Sequence, residues 1–326
     1  MTWTTRYQQP NPATWTGRTD APEESCFFQI IRKLNLLDGK ITPTTDQPAF
    51  GLIGFCCDEG VKRNLGRVGA AEGPAAIRAA LYKLPISKPD ILCYDAGDIT
   101  CDDGDLESAQ AALAEVIYIL LTYGITPIVL GGGHELAWGE YQGIHKYINN
   151  DAIAVVNFDA HLDMRSLLKD NKGTSGTSFL QIANANIEAK RKFSYSCLGV
   201  QRSSNNYELF KTANQYETNI IYAEDFYQNS NKCFDLLNYL IFYNRHIYLS
   251  ICLDVFASPF APGVSAPQAL GITPWKSLPY IKILAASGKV ISYDIAELLP
   301  AHDIDNCTAN LAANLINEII YHHTKL

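Results

Sequence analysis

Apolar residues along this chain fall into short runs with strand character, separated by longer stretches with helical spacing. Runs rich in Val, Ile, Leu and aromatic residues predict strands at Ala49–Cys56, Ile91–Tyr94, Thr126–Leu130, Ala152–Phe158, Phe193–Val200, Asn219–Tyr222, His246–Leu253 and Lys289–Ile295. Between Asp105 and Tyr123 the apolar positions Leu106, Ala109, Leu113, Val116, Ile117, Leu120 and Leu121 repeat every 3.6 residues, and Gly124 supplies a C-cap. A last helix is predicted over Thr308–Tyr321, carrying Leu311, Ile316, Ile319 and Ile320. Near-continuous apolar strands alternating with helices imply a mostly parallel sheet covered on both faces, an α/β fold. No linker, repeat or low-complexity tract interrupts the pattern, so the expectation is a single domain over 1–326. Residues 1–25, polar and rich in Pro and Thr, are expected to form an extended arm.

Composition narrows the function. Hydrophobic residues make up 47% of the 326 and charged residues 18%, enough for a large core and too apolar for a disordered chain. A net charge of -8 disfavours nucleic-acid binding and suits a protein handling small molecules. The nine cysteines are odd in number and form no CxxC pair, Cys56-Cys57 being the one close pair. That usage suggests reduced thiols and a cytoplasmic location. The first twenty residues lack a signal-peptide core, and no window approaches the length of a membrane span.

Parallel α/β sheets gather their chemistry at the carboxyl ends of strands, and four predicted strand ends carry unusual polar residues. GGGHE, with His134, follows TPIVL. DAHLDMR, with Asp159, His161, Asp163 and Arg165, follows AIAVVNF. Cys252 and Asp254 close IYLSICLD, and Glu297 follows VISYDIA. GGGHE lacks the lysine and spacing of a phosphate loop, so its glycines are better read as letting the chain turn sharply and bring His134 into a crowded site. On extended backbone Asp159, His161 and Asp163 project to one side. Carboxylates forced together repel unless a cation lies between them, and imidazole with carboxylates suits a divalent first-row metal, manganese being favoured as oxygen ligands increase. The alternative is a capped turn with a satisfied histidine. Along the seventh run Ser250, Cys252 and Asp254 share one face, and Leu249, Ile251 and Leu253 the other.

GGGHE, DAHLD and SICLD, the last followed by APGVSAPQALG, stand in the order and spacing of GGxH, DAHxD, SxDxD and P-G-x-x-x-P-x-x-x-G, over roughly residues 50 to 300. The chain resembles the arginase/ureohydrolase family. The resemblance implies a three-layer α/β/α fold with a two-manganese centre at the strand ends and a homo-oligomer acting on a small-molecule substrate. WTGRTD (Trp15–Asp20), the Asp58–Pro74 stretch DEGVKRNLGRVGAAEGP, NFDAHLDMR and APGVSAP are most similar to the branch that hydrolyses N-formimidoyl-L-glutamate to L-glutamate and formamide in histidine degradation. Phe179 stands where arginases and agmatinases place a histidine, and Arg165 where arginases carry asparagine. A second cation suits a substrate with two carboxylates, the other reading of Arg165 being a surface ion pair.

Carried over residue by residue, one metal takes His134, Asp159 and Asp163, and the other His161, Asp159 and Asp254. Both metals also use the position of Cys252, where the family has a bridging aspartate. This departure leaves three outcomes open: a thiolate-bridged pair with altered metal preference, one weakly held or lost metal, or a non-catalytic relative that keeps the fold. The implied mechanism is attack by a hydroxide bridging the metals, with Asp163 shuttling a proton, Glu297 holding the cationic end of the substrate, and Arg165 with the loop Ser175, Gly176 and Thr177 binding the glutamate portion. Another amidine or guanidino substrate is the competing enzyme reading. Arg67 either faces the site or pins its loop. His322-His323 is expected to be a solvated tail.

Overall fold

The computed structural model describes residues 2–11, 13–17, 25–39, 41, 47–86, 91–149 and 151–324. Its centre is a ten-stranded sheet. Two of the ten are two-residue pieces, Tyr7–Gln8 and Arg32–Lys33, both on Leu92–Thr100. The others are β1 (Ala49–Cys56), β2 (Leu92–Thr100), β3 (Thr126–Leu130), β4 (Ile153–Phe158), β5 (Tyr195–Val200), β6 (Asn219–Tyr222), β7 (His246–Cys252) and β8 (Val290–Ala296). From the Tyr7–Gln8 edge they lie in the order β2-β1-β3-β8-β7-β4-β5-β6. Every pairing among them is parallel.

Side-chain alternation divides the core into two. Phe50, Leu52, Ile128, Val156, Leu249, Ile251 and Ile295 pack beneath α1 (Gly73–Leu81), α6 (Ser230–Tyr243), α7 (Pro274–Ala286) and α8 (Cys307–His322). Ile53, Phe55, Val129, Val155, Tyr195 and Tyr248 face α2 (Leu106–Thr122), α3 (Leu136–Ile148), α4 (Ser178–Glu188) and α5 (Tyr207–Gln215). The layers are therefore helix, sheet, helix, as expected. Asp105 starts α2 by accepting from the Ser108 N–H, and Gly124 follows it at φ +72°.

Three expectations need correction. β2 does not stop at Tyr94 but runs on to Thr100, through Asp95 and Asp98. The Arg78 guanidinium reaches both carboxylates, at 2.9 and 2.7 Å, and the Gly97 carbonyl at 2.8 Å, so charge that reads as loop is neutralised inside a strand. The described part of the arm is built into the fold: Tyr7–Gln8 extends the sheet edge, Arg6 pairs with Asp103 at 2.8 Å, and the Trp15 indole donates to Asp95 at 2.8 Å. Arg18, Thr19 and Asp20 of WTGRTD lie outside the described residues. Finally, His323 is no solvated tail. It is 3% exposed, packed edge-on to Phe50 and Tyr293, and its Nδ1 lies 2.8 Å from the Tyr293 hydroxyl; His322 sits 3.3 Å from Glu318.

Candidate active site

The sheet order places β3, β8, β7 and β4 side by side, although they are far apart in sequence. Their carboxyl ends deliver His134, Glu297, Cys252 with Asp254, and the Asp159–Arg165 segment to one place. The glycines before His134 are required by contact: a Cβ on Gly132 would lie 2.0 Å from the Cys57 carbonyl oxygen, and one on Gly131 2.2 Å from that of Ile295. Asp163 at φ +47° and Glu297 at φ +70° hold left-handed backbone that aspartate seldom and glutamate rarely adopts.

His134 Nδ1 lies 2.9 Å from Asp163 Oδ2 and 3.1 Å from Asp159 Oδ2. His161 Nδ1 lies 3.0 Å from Asp254 Oδ2 and 3.5 Å from Asp159 Oδ1. Asp159 also accepts from the His161 N–H at 2.7 Å and the Asn157 amide at 3.1 Å, and Glu297 Oε1 accepts from the His134 N–H at 2.8 Å. Burial alone raises the Asp159 carboxyl, but the two imidazoles outweigh it and hold the group below its ordinary range. Glu297 is pushed up to about 8, first by burial and then by Glu135. Burial, followed by Asp159, Asp254, Glu297 and Asp163, raises the Cys252 thiol well above its usual value.

His134 Nδ1 and Asp254 Oδ1 are buried without a hydrogen-bond partner among the described residues, the oxygens near Nδ1 being close but out of line for a bond. Two groups of potential ligand atoms, His134–Asp159–Cys252 and Asp159–His161–Asp254, each lie within 4.8 Å and share Asp159. Unpaired donors, converging acids and a shared carboxylate fit divalent cations. Asp163 touches this arrangement through His134 and belongs to neither group.

A cavity of about 330 Å³ opens above the centre. His134, His161, Asp163, Cys252, Asp254 and Glu297 form its polar floor; Arg165, Arg67, Asn64, Ser175 and Ser265 stand around it. Of the expected 175–177 loop, Ser175 lines the cavity, its hydroxyl accepting from the Asn64 amide at 3.3 Å. Gly176 and Thr177 do not line it. Gly176 lies behind Arg165, accepting its N–H at 2.8 Å, and Thr177 is buried with its hydroxyl held by Thr174 and Gln181. Phe179 packs edge-on against His134, ring centroids 5.3 Å apart, and offers no donor. Arg67 both faces the cavity and pins its loop, bonding to the carbonyls of Val264 and Ser265 at 2.8 Å each. Asp294, beneath His134 with Ser250, escaped sequence reasoning; the available signal was a charge inside the core run VISYDIA.

The molecule is an α/β/α protein whose parallel sheet carries a carboxylate–imidazole–thiol cluster across its middle strands, with two candidate cation sites that share Asp159. The Arginase family profile matches residues 48–321, and the chain belongs to that family. It is 42% identical to the formimidoylglutamase of Clostridium tetani, covering 96% of this chain and 95% of the relative, and 42% identical to that of Legionella pneumophila (strain Paris), covering 96% and 97%. A crystal structure of Trypanosoma cruzi formiminoglutamase with Mn2+2 superposes with a TM-score of 0.75 at 25% identity, covering 88% of this chain and 97% of that one. The formimidoylglutamase of Bacillus subtilis, at 22% identity, shares the fold with a TM-score of 0.79 over 94% and 93%. Among the described residues no helix is long and apolar enough to cross a membrane.

Proposed function

We propose that this chain hydrolyses N-formimidoyl-L-glutamate to L-glutamate and formamide. The observation that carries the reading is the polarity of the cavity: its floor is rich in carboxylates, and Arg165 at its edge has no acidic partner among the described residues. The substrate has a complementary polarity, with a cationic formimidoyl end and a dianionic glutamate end. The formimidoylglutamase relatives and the Mn2+2 of the Trypanosoma cruzi structure support the same assignment.

His134, Asp159 and Cys252 would hold one manganese ion and His161, Asp159 and Asp254 a second, with Asp163 beside the first. Such ions supply Lewis-acid activation of water at neutral pH. Glu297 receives the cationic formimidoyl group and Arg165 a carboxylate. Water adds to the formimidoyl carbon, the bond from that carbon to the glutamate nitrogen breaks, and Asp163 carries the proton that the departing amine requires. Ser175 offers a hydroxyl to the glutamate portion, while Gly176 and Thr177 hold Arg165 and Ser175 in place. The protein would act as a cytoplasmic homo-oligomer, which light scattering would test.

The test is release of glutamate and formamide with manganese present and thiols reduced. Turnover is expected, and Asp159→Ala should reduce kcat/KM by about 10³-fold or more, since both cations depend on that carboxylate. Activity on a guanidino compound with none on N-formimidoyl-L-glutamate would overturn the substrate. Cys252 favours a second reading, a metal-impaired relative; inactivity relieved by Cys252→Asp would select it.

A further inference from the structure

Resting on that substrate, we infer that Arg67 is a second carboxylate anchor, so that the glutamate end is held by two guanidinium groups, Arg67 and Arg165, each taking one carboxylate. Arg6, Arg63, Arg78, Arg202 and Arg245 each lie within 2.9 Å of an aspartate or glutamate oxygen. Arg32, Arg67, Arg165 and Arg191 have no acidic partner among the described residues, and of these the exposed Arg67 and Arg165 line the same cavity. Two permanently charged groups left without an acid, lining one cavity together with a cluster of carboxylates, form a receptor for two anions.

Arg67 is also held ready for the task. Its main-chain N–H donates to the Ser265 hydroxyl at 2.9 Å, Nε to the Ser265 carbonyl and Nη2 to that of Val264, both at 2.8 Å. Neutral acceptors fix the guanidinium plane without cancelling its charge. Nη1 has no acceptor among the described residues, so N–H groups remain for a carboxylate. The side chain that ties the Asn64–Gly69 loop to the 263–266 loop therefore presents a positive end to the cavity.

The test crosses variants with truncated substrates. N-formimidoyl-L-glutamate, N-formimidoyl-L-glutamine, which has a neutral γ-amide, and N-formimidoyl-4-aminobutyrate, which has no α-carboxylate, are compared in wild type, Arg67→Met and Arg165→Met. Arg67→Met should lower kcat/KM for the glutamate substrate by about 10- to 100-fold, the worth of a charged hydrogen-bonded pair, mainly through KM. It should leave one analogue unaffected, because that analogue lacks the carboxylate Arg67 binds. Arg165→Met should spare the other analogue. If Arg67→Met slows all three substrates equally, or none, Arg67 only braces its loop and the anchor is overturned. Should Arg67→Met fail to fold, Arg67→Lys, with its charge kept but its fork lost, must still penalise the glutamate substrate more than one analogue. Wild type inactive on all three would instead remove the substrate assignment, and the anchor with it.

Discussion

Cys252 stands two residues before Asp254 on β7, 1% exposed, with its sulfur in the group formed with His134 and Asp159. Burial and the surrounding acids favour the protonated thiol, so deprotonation there needs a nearby cation. A thiolate is softer than the carboxylate that the family resemblance implies at this position: zinc accepts sulfur readily, whereas manganese prefers oxygen. Cys252→Asp should therefore shift the manganese-to-zinc affinity ratio toward manganese by an order of magnitude or more, measured as metal bound per chain in competition. An unchanged ratio would place the sulfur outside the ligand set. Strand alternation put this residue on the face of Ser250 and Asp254, because Leu249, Ile251 and Leu253 face the other core, while its place in a metal centre was legible only from the family resemblance. The left-handed Asp163 and Glu297 were not legible, since neither residue type announces that backbone.

At the scale of elements, β7 and β8 together orient His134. Ser250 Oγ donates to Asp294 Oδ1 at 3.0 Å, and the Tyr248 hydroxyl donates to Oδ2 at 2.6 Å. With its one proton given to Asp294, Ser250 must accept from His134 Nε2, 2.9 Å away. That assigns the neutral imidazole its proton on Nε2 and leaves the Nδ1 lone pair turned toward Asp159 and Asp163, as a metal ligand requires. Ser250→Ala should weaken manganese binding about 10- to 100-fold, read by titration of the metal itself; unaltered affinity would mean the serine does not set the tautomer. On the facing helix α3, Glu140 is fully buried, accepts from Ser292, and has Oε2 unpartnered. Burial, then Asp294, raises its carboxyl well above the ordinary value of 4.5. Below that value both folded and unfolded chains hold the proton. Above it the unfolded chain releases the proton first, so this group's contribution to stability falls with rising pH until the folded value is passed. Melting temperatures of Glu140→Gln relative to wild type should thus rise between pH 5 and pH 8, and a flat difference would show Glu140 ionised at little cost. Such buried polar residues hid inside apolar runs, just as Asp95 and Asp98 hid the second half of β2. Their partners, Ser250 and Arg78, are distant in sequence.

At the scale of the molecule, the sheet order brings the centre together. Runs of apolar residues made the parallel α/β/α layering legible, and charged strand ends made the centre legible, because each signal is local. The register of β3 beside β8 and of β7 beside β4 carries no local signal, nor does the meeting of the loops that bear Arg67 and Val264. The same convergence makes the centre a stability determinant. Asp159, Asp254 and Glu297 are buried together with the partly buried Asp163 beside them, and burial raises the carboxyls of Asp163, Asp254 and Glu297. Without cations these acids must hold protons or lean on the two imidazoles; with cations they can ionise at little cost. Manganese should therefore bind the folded chain far more tightly than the unfolded one, adding about 2.7 kcal/mol at a hundredfold excess over Kd. Thermal melts after chelation and after manganese is restored should differ by several degrees, with the increment lost in Asp159→Ala, which removes the carboxylate both groups share. Equal melting temperatures with and without manganese would mean that histidine protonation alone satisfies the acids, and that the centre folds without its metal.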